Sequence, residues 1–244
     1  MIDWAYRRAD VLTAISQNTK REILKIIPDL KIIVINHGVD FYKFQETRNN
    51  NQTNLKSEIL NLKPFILSVG TLKKRKGYEY SIAAFAEIAG EFPELKYVIV
   101  GRGPEREALK LQVTSYKLQD RVIFLDNLSE AELIDLYHNA ELFILLPQDI
   151  NKDMEGFGLV FLEAAACGLA VVSANGSSAE DAVLDGQNGI LVPPQDMAAA
   201  AAAMVRILSD RKFKESLAKE SLAFAQKMSW HKTARAYIAL YWIR

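Results

Sequence analysis

The feature that most constrains this chain is a series of short, unbroken apolar runs: "VLTAI" (11–15), "IIVI" (32–35), "FILSV" (65–69), "YVIV" (97–100), "VIFL" (122–125), "LFILL" (142–146), "AVVS" (170–173) and "ILV" (190–192). They are rich in β-branched residues and do not alternate apolar with polar. Strands buried on both faces look like this, and such strands belong to parallel sheets covered by helices. From residue 65 onward, helical patterns fall between the runs. Residues 78–90 carry Ile82, Phe85 and Ile88 at helical spacing, and 104–117 and 129–138 are similar. The alternation predicts an α/β fold with a doubly wound parallel sheet. After the last run comes helical sequence only: "MAAAAAAMVRILSD", "KFKESLAKESLAFAQKM" and "WHKTARAYIALYWIR".

One segment breaks the pattern. Residues 47–56, "TRNNNQTNLK", are polar and Asn-rich and read as a loop. What precedes it is too little for a domain of its own. It reads as the tail of something larger or as an appendage to the main sheet. Lys+Arg and Asp+Glu balance at 30 each, so no global field favours nucleic acid or anionic membranes. No apolar run reaches the roughly 20 residues a membrane-spanning helix needs, and "MIDWAYRRAD" is not a signal peptide. The single cysteine, Cys167, excludes an internal disulfide. It fits a reducing compartment, and a cytoplasmic location is expected.

Three stretches carry candidate chemistry. "SVGTLKKRKGYEY" (68–80) follows the first strand of the main domain, and its basic run stands immediately before a predicted helix. Cations there oppose the helix dipole, unless an anion occupies the helix end. An isolated KKRK is more often a solvated turn. "VGRGPE" (100–105) hints at a dinucleotide fingerprint, but Arg106 stands where the third glycine belongs, so an NAD site is rejected. Its glycines read as a tight strand-to-loop turn.

The third stretch, "EGFGLVFLEAAACG" (155–168), is an apolar helix with Glu155 just before it and Glu163 inside it. Gly156 and Gly158 permit a tight turn, and the first helical N–H groups form a second phosphate-ready start. Glu155 could complement the helix dipole, and Glu163 could sit in a buried salt bridge or accept from two neighbouring hydroxyls, as a ribose offers. His37, His138 and His231 are scattered, and no metal-ligand spacing is present. No metal and no cofactor are expected.

Together these pieces resemble the retaining glycosyltransferases of family four, which have the GT-B architecture. The match is to the carboxyl-terminal, donor-binding half. "FILSVGTLKKRKGYEYSIAAF" is similar to that family's strand–Gly–x–Leu–x3–Lys–Gly element, and "YVIVGRGPE" to its Val–Gly–x–Gly–Pro turn. "EGFGLVFLEAAACGLAVVS" is similar to its E-x7-E signature with Glu–Ala–x–Ala–x–Gly and a strand. "LDGQNGILVPPQD" is similar to its Asp–Gly–x–x–Gly closing element. "ADVLTAIS" and "INHGVD" resemble the end of the family's first domain and the crossing into the second. Thr71 stands where the family often has Arg, and Ser177 and Ser178 replace an expected Gly-Gly pair.

The resemblance implies a Rossmann-like half of a GT-B enzyme with extra C-terminal helices. It implies a remnant of the first domain and crossover at 1–45, a polar loop at 46–56, a donor-binding domain at 57–228 and a C-terminal helix at 229–244 that packs back. It also implies a nucleotide sugar as substrate. Lys76, helped by Arg75, would take the diphosphate, with the N–H groups of Phe157, Gly158 and Leu159. Glu163 would hold the ribose hydroxyls, the backbone near Leu128 would meet the base, and Glu155 would face the transferred sugar. Transfer would retain anomeric configuration without a metal. With most of the first domain missing, this chain alone would bind nucleotide without transferring sugar, and would self-associate or pair with a separate N-terminal half. The alternatives are a nucleotide-sugar epimerase of the same architecture and a catalytically silent nucleotide- or partner-binding module.

Overall fold

The structure, a computed structural model, describes residues 2–49, 62–150 and 153–242. The chain opens with α1 (Ile2–Arg8), β1 (Leu12–Ala14), α2 (Gln17–Ile26), β2 (Ile32–Val34) and α3 (Phe41–Asn49). β1 and β2 pair in parallel as a two-stranded sheet of their own. The remaining strands are β3 (Phe65–Val69), β4 (Lys96–Val100), β5 (Val122–Leu125), β6 (Phe143–Leu145), β7 (Val171–Ala174) and β8 (Gly189–Val192). They form one parallel sheet in the order β5-β4-β3-β6-β7-β8. Every residue of β3, β6 and β7 is buried, which is why these strands read as unbroken apolar runs.

The crossovers are α4 (Tyr78–Ile88), α5 (Arg106–Ser115), α6 (Glu130–Asn139) and α7 (Leu159–Ala166). Then come α8 (Met197–Ser209), α9 (Arg211–Lys227) and α10 (Trp230–Tyr241). α4 packs on α5 and α8, while α3 packs on α6 and α7, and α7 meets α9. Helices therefore cover both faces of the sheet. Their ends are set by sequence. Ser129 and Glu132 form a reciprocal capping box at α6, and Asp196, Asp210 and Ser229 cap α8, α9 and α10. Each such cap is worth about 1 kcal/mol.

A two-stranded ribbon is marginal by itself, and β1–β2 is held from two sides. Asp181, after β7, accepts from the Gln17 N–H and from Asn36 Nδ2, each at 2.9 Å. Beside it Glu180 pairs with Arg21 at 3.1 Å. From the other side, Thr233 of α10 donates to the Asn36 carbonyl at 2.9 Å, and Val39 bridges to Ser229. These contacts tie α10 and its cap to the segment that follows β2.

One boundary differs from expectation. Glu46 and residues 47–49 finish α3 rather than opening a loop. Phe41 and Phe44 pack on the core, and Gln45 donates to the Ala166 carbonyl, so burial of the helix face outweighs its polar composition. The rest of the expected polar loop lies outside the described residues.

The strand order places the candidate residues. From β3 the chain crosses to β4 on one side, and from β6 to β7 on the other. Their loops diverge at the carboxyl ends, opening the crevice in which doubly wound sheets bind ligands.

Candidate functional site

The loop after β3 is locked to the loop after β4. Leu72 N–H donates to the Arg102 carbonyl at 2.8 Å, and Glu105 N–H donates to the Leu72 carbonyl at 3.1 Å. Gly101 has φ +152°, and a Cβ there would lie 1.9 Å from the Gly70 carbonyl oxygen. The first glycine of "VGRGP" is thus a close-packing residue in the turn after β4. Held this way, residues 74–76 make a single 3₁₀ turn immediately before α4.

That turn delivers two cations to one carboxylate. Lys76 Nζ lies 2.6 Å from Glu155 Oε2, and Arg75 Nη1 donates to the same oxygen. Lys76 is 7% exposed and Glu155 8%. Buried charges persist only when paired. Arg75 Nε lies 3.0 Å from Asp153 Oδ1 but out of line for a hydrogen bond. The Gln148 N–H donates to the Arg75 carbonyl at 2.8 Å, tying the loop after β6 to the turn after β3. An open cavity lies beside this cluster, with Lys73, Lys74, Arg75, Pro104, Glu105, Ile150 and Asp153 in its wall.

The start of α7 faces the same crevice. Gly158 is its N-cap at φ +77°, and no side chain caps the helix. A Cβ at Gly158 would lie 2.6 Å from the Phe161 ring. The Phe161 N–H turns back to the Gly158 carbonyl at 3.0 Å, while those of Leu159 and Val160 belong to the first turn, whose N–H groups have no partner within a helix. Phe157 is buried, its ring 5.4 Å from His37, which in turn lies 5.3 Å from Trp230. His37 Nδ1 is buried without a hydrogen-bond partner among the described residues. Thr19 of α2 donates to the Gly156 carbonyl at 3.3 Å. The first elements thereby touch the glycine turn itself.

Glu163 sits in the second turn of α7. Its partner is neither a cation nor absent: the Tyr137 hydroxyl of α6 donates to Oε2 at 2.8 Å. Burial raises the Glu163 carboxyl above its ordinary 4.5, opposed by the Tyr137 hydrogen bond and by Lys43 and Lys76. Burial also pushes Tyr137 well above the ordinary 10.0 of a phenol, so it keeps its proton and donates.

The structure thus brings together Lys76, Arg75 and Glu155 in direct contact, with Phe157, Gly158, Leu159 and Glu163 on the same loop and helix. Leu128 lies after β5, two strands from β3 but on the same carboxyl edge. Thr71 is exposed, and Arg75 supplies a second cation beside Lys76. Ser177 and Ser178 are buried after β7. Ser177 donates to the Ala174 carbonyl, and Ser178 Oγ has no partner among the described residues. Sequence reasoning missed Tyr137 and Asp153, since neither belongs to a spacing pattern.

A family model described as glycosyl transferases group 1 matches residues 49–223. A GDP-mannose-dependent alpha-(1-6)-phosphatidylinositol monomannoside mannosyltransferase of Mycolicibacterium smegmatis is 29% identical over 205 residues, covering 83% of this chain and 54% of that protein. Among solved structures, sucrose-phosphate synthase from Thermosynechococcus elongatus superposes with a TM-score of 0.80 at 27% identity, covering 98% of this chain and 59% of that one. HepE of Anabaena, solved with UDP and glucose, gives a TM-score of 0.83 at 22% identity, covering 100% of this chain and 66% of that one. At that identity the likeness speaks for the fold alone. The chain spans about half the length of the curated relatives it matches.

Proposed function

The chain belongs to the group 1 glycosyltransferases, and from that premise we propose that it supplies the donor-binding half of such an enzyme, holding a nucleotide-diphosphate sugar in the switch-point crevice. The observation that carries this reading is the convergence of Arg75 and Lys76 on one carboxylate oxygen beside an uncapped helix start. Two fixed cations and free N–H groups make a diphosphate grip. Glu155 occupies the cations until phosphate arrives, then turns to the transferred sugar. Glu163 accepts from the ribose hydroxyls, and the backbone near Leu128 meets the base.

In this reading the chemistry is departure of a nucleoside diphosphate with retention at the anomeric carbon. Negative charge grows on the leaving phosphate, and Lys76, Arg75 and the start of α7 stabilise it without reorganising. A divalent cation is not needed for that role. The acceptor must come against the sugar from the opposite wall of the cleft, because rate depends on holding both reactants together away from water. The β1–β2 ribbon offers little of that wall. We assign the acceptor side to a further N-terminal α/β region packing on the ribbon and α10. The described chain by itself then binds nucleotide and transfers little or no sugar.

A thermal-shift screen over nucleoside diphosphates and their sugars tests the reading. A ligand that binds only the folded state raises stability by about 2.7 kcal/mol at a hundred times its dissociation constant. Stabilisation by at least one nucleoside diphosphate is expected. No response to any of them would reject the proposal.

A further inference from the structure

Tyr137 is a fully buried group that the mechanism above leaves unused. Its ring packs between Phe143, at 5.9 Å, and Phe44, at 6.3 Å. With the ring clamped, the hydroxyl has one destination, Glu163 Oε2 at 2.8 Å. Among the described residues nothing hydrogen-bonds Oε1.

We infer that Tyr137 is a positioning residue of the donor site: its hydroxyl fixes the Glu163 carboxylate so that Oε1 meets the ribose hydroxyls. The inference rests on the reading of Glu163 as the ribose acceptor. A carboxylate without this bond loses its preferred rotamer and one of the groups that favour its charged form. The other charges acting on it are Lys43 of α3 and Lys76 of the turn after β3, which favour the ionised form, and Glu130 of α6, which opposes it. A protonated Glu163 has a hydroxyl in place of one acceptor oxygen, so it cannot receive both ribose protons in the same way.

Calorimetric titration of UDP, GDP and their 2′,3′-dideoxy counterparts into the wild-type protein, Tyr137→Phe and Glu163→Gln tests this. For whichever ribonucleotide binds, Tyr137→Phe is expected to weaken binding about tenfold, the scale of one hydrogen bond to a charged group. The dideoxy counterpart should hardly change. The acid limb of ribonucleotide binding should also move to higher pH in Tyr137→Phe. If Glu163→Gln separates the two ligands and Tyr137→Phe does not, the role of Tyr137 is overturned while the ribose reading stands. If Glu163→Gln fails to separate them, the ribose reading falls and takes this inference with it. Should Tyr137→Phe not fold, the double variant with Glu163→Gln decides. Removing both partners of a buried bond relieves the unpaired charge, so recovery of the fold supports a role through Glu163, and no recovery leaves Tyr137 purely structural.

Discussion

Lys76 Nζ and Glu155 Oε2 stand 2.6 Å apart, both side chains buried, at the point where the connections from β3 and β6 diverge. The pair joins two loops from different strands, and the Arg75 guanidinium reaches the same oxygen. A resident carboxylate thus holds the charges that the account assigns to a diphosphate.

Removing that carboxylate has two consequences. Glu155→Gln leaves Lys76 buried without its full counter-charge, and breaking a buried pair from one side costs about 3 kcal/mol. Denaturant unfolding should show that loss without ligand. Nucleoside diphosphate should then stabilise Glu155→Gln more than wild type, because phosphate replaces the missing charge. An equal thermal shift in the two proteins would contradict the exchange.

The stability contribution of Glu163 follows from the direction of its pKa. Below its ordinary 4.5 the folded and unfolded chains both hold the proton, and the residue is neutral to stability. As pH rises the unfolded chain ionises first, so stability falls until the folded carboxyl ionises too. At neutral pH the ionised Glu163 therefore stabilises the fold less than its protonated form does. Urea unfolding should find Glu163→Gln more stable than wild type at neutral pH, with the difference closing in acid. Greater wild-type stability at neutral pH would contradict the assignment.

Asp181 should behave as a clasp. It accepts from Gln17 and Asn36, so Asp181→Ala removes two bonds to a charged group, worth roughly 1.5–3 kcal/mol each at most. Hydrogen exchange should rise in residues 12–36 and stay slow in β3 and β6. Uniform exchange across the sheet would show that the ribbon and the core unfold together.

Gly158→Ala tests the turn into α7. A left-handed conformation costs a non-glycine residue about 1–2 kcal/mol, and the new methyl would meet the Phe161 ring. Lower thermal stability and weaker nucleoside diphosphate binding are both expected. Unchanged binding would mean that the helix start does not touch phosphate.

The sheet was legible because strands buried on both faces must be continuously apolar, as β3, β6 and β7 are. Lys76, Glu155 and Glu163 were singled out from local motifs; the structure puts Lys76 and Glu155 in contact and brings Glu163 within range of the Lys76 charge. Their partners did not follow. Tyr137 lies 26 residues from Glu163 on another helix, where a tyrosine reads as ordinary core. Periodicity marks a strand but not its neighbour, so nothing in the sequence separates the β1–β2 ribbon from the main sheet. Residues 47–49 read as loop by composition, yet Phe41 and Phe44 commit that segment to a helix.

The most direct test is calorimetric titration, in EDTA, of a nucleoside diphosphate and its parent nucleoside into the wild-type protein and Arg75→Ala/Lys76→Ala. The account predicts that the wild-type protein binds the diphosphate without added metal. It predicts that the double variant loses about a hundredfold or more for the diphosphate, from at least two charge-assisted contacts, while the nucleoside is little affected. Equal loss for both ligands, or diphosphate binding only when Mg²⁺ or Mn²⁺ is supplied, would contradict it.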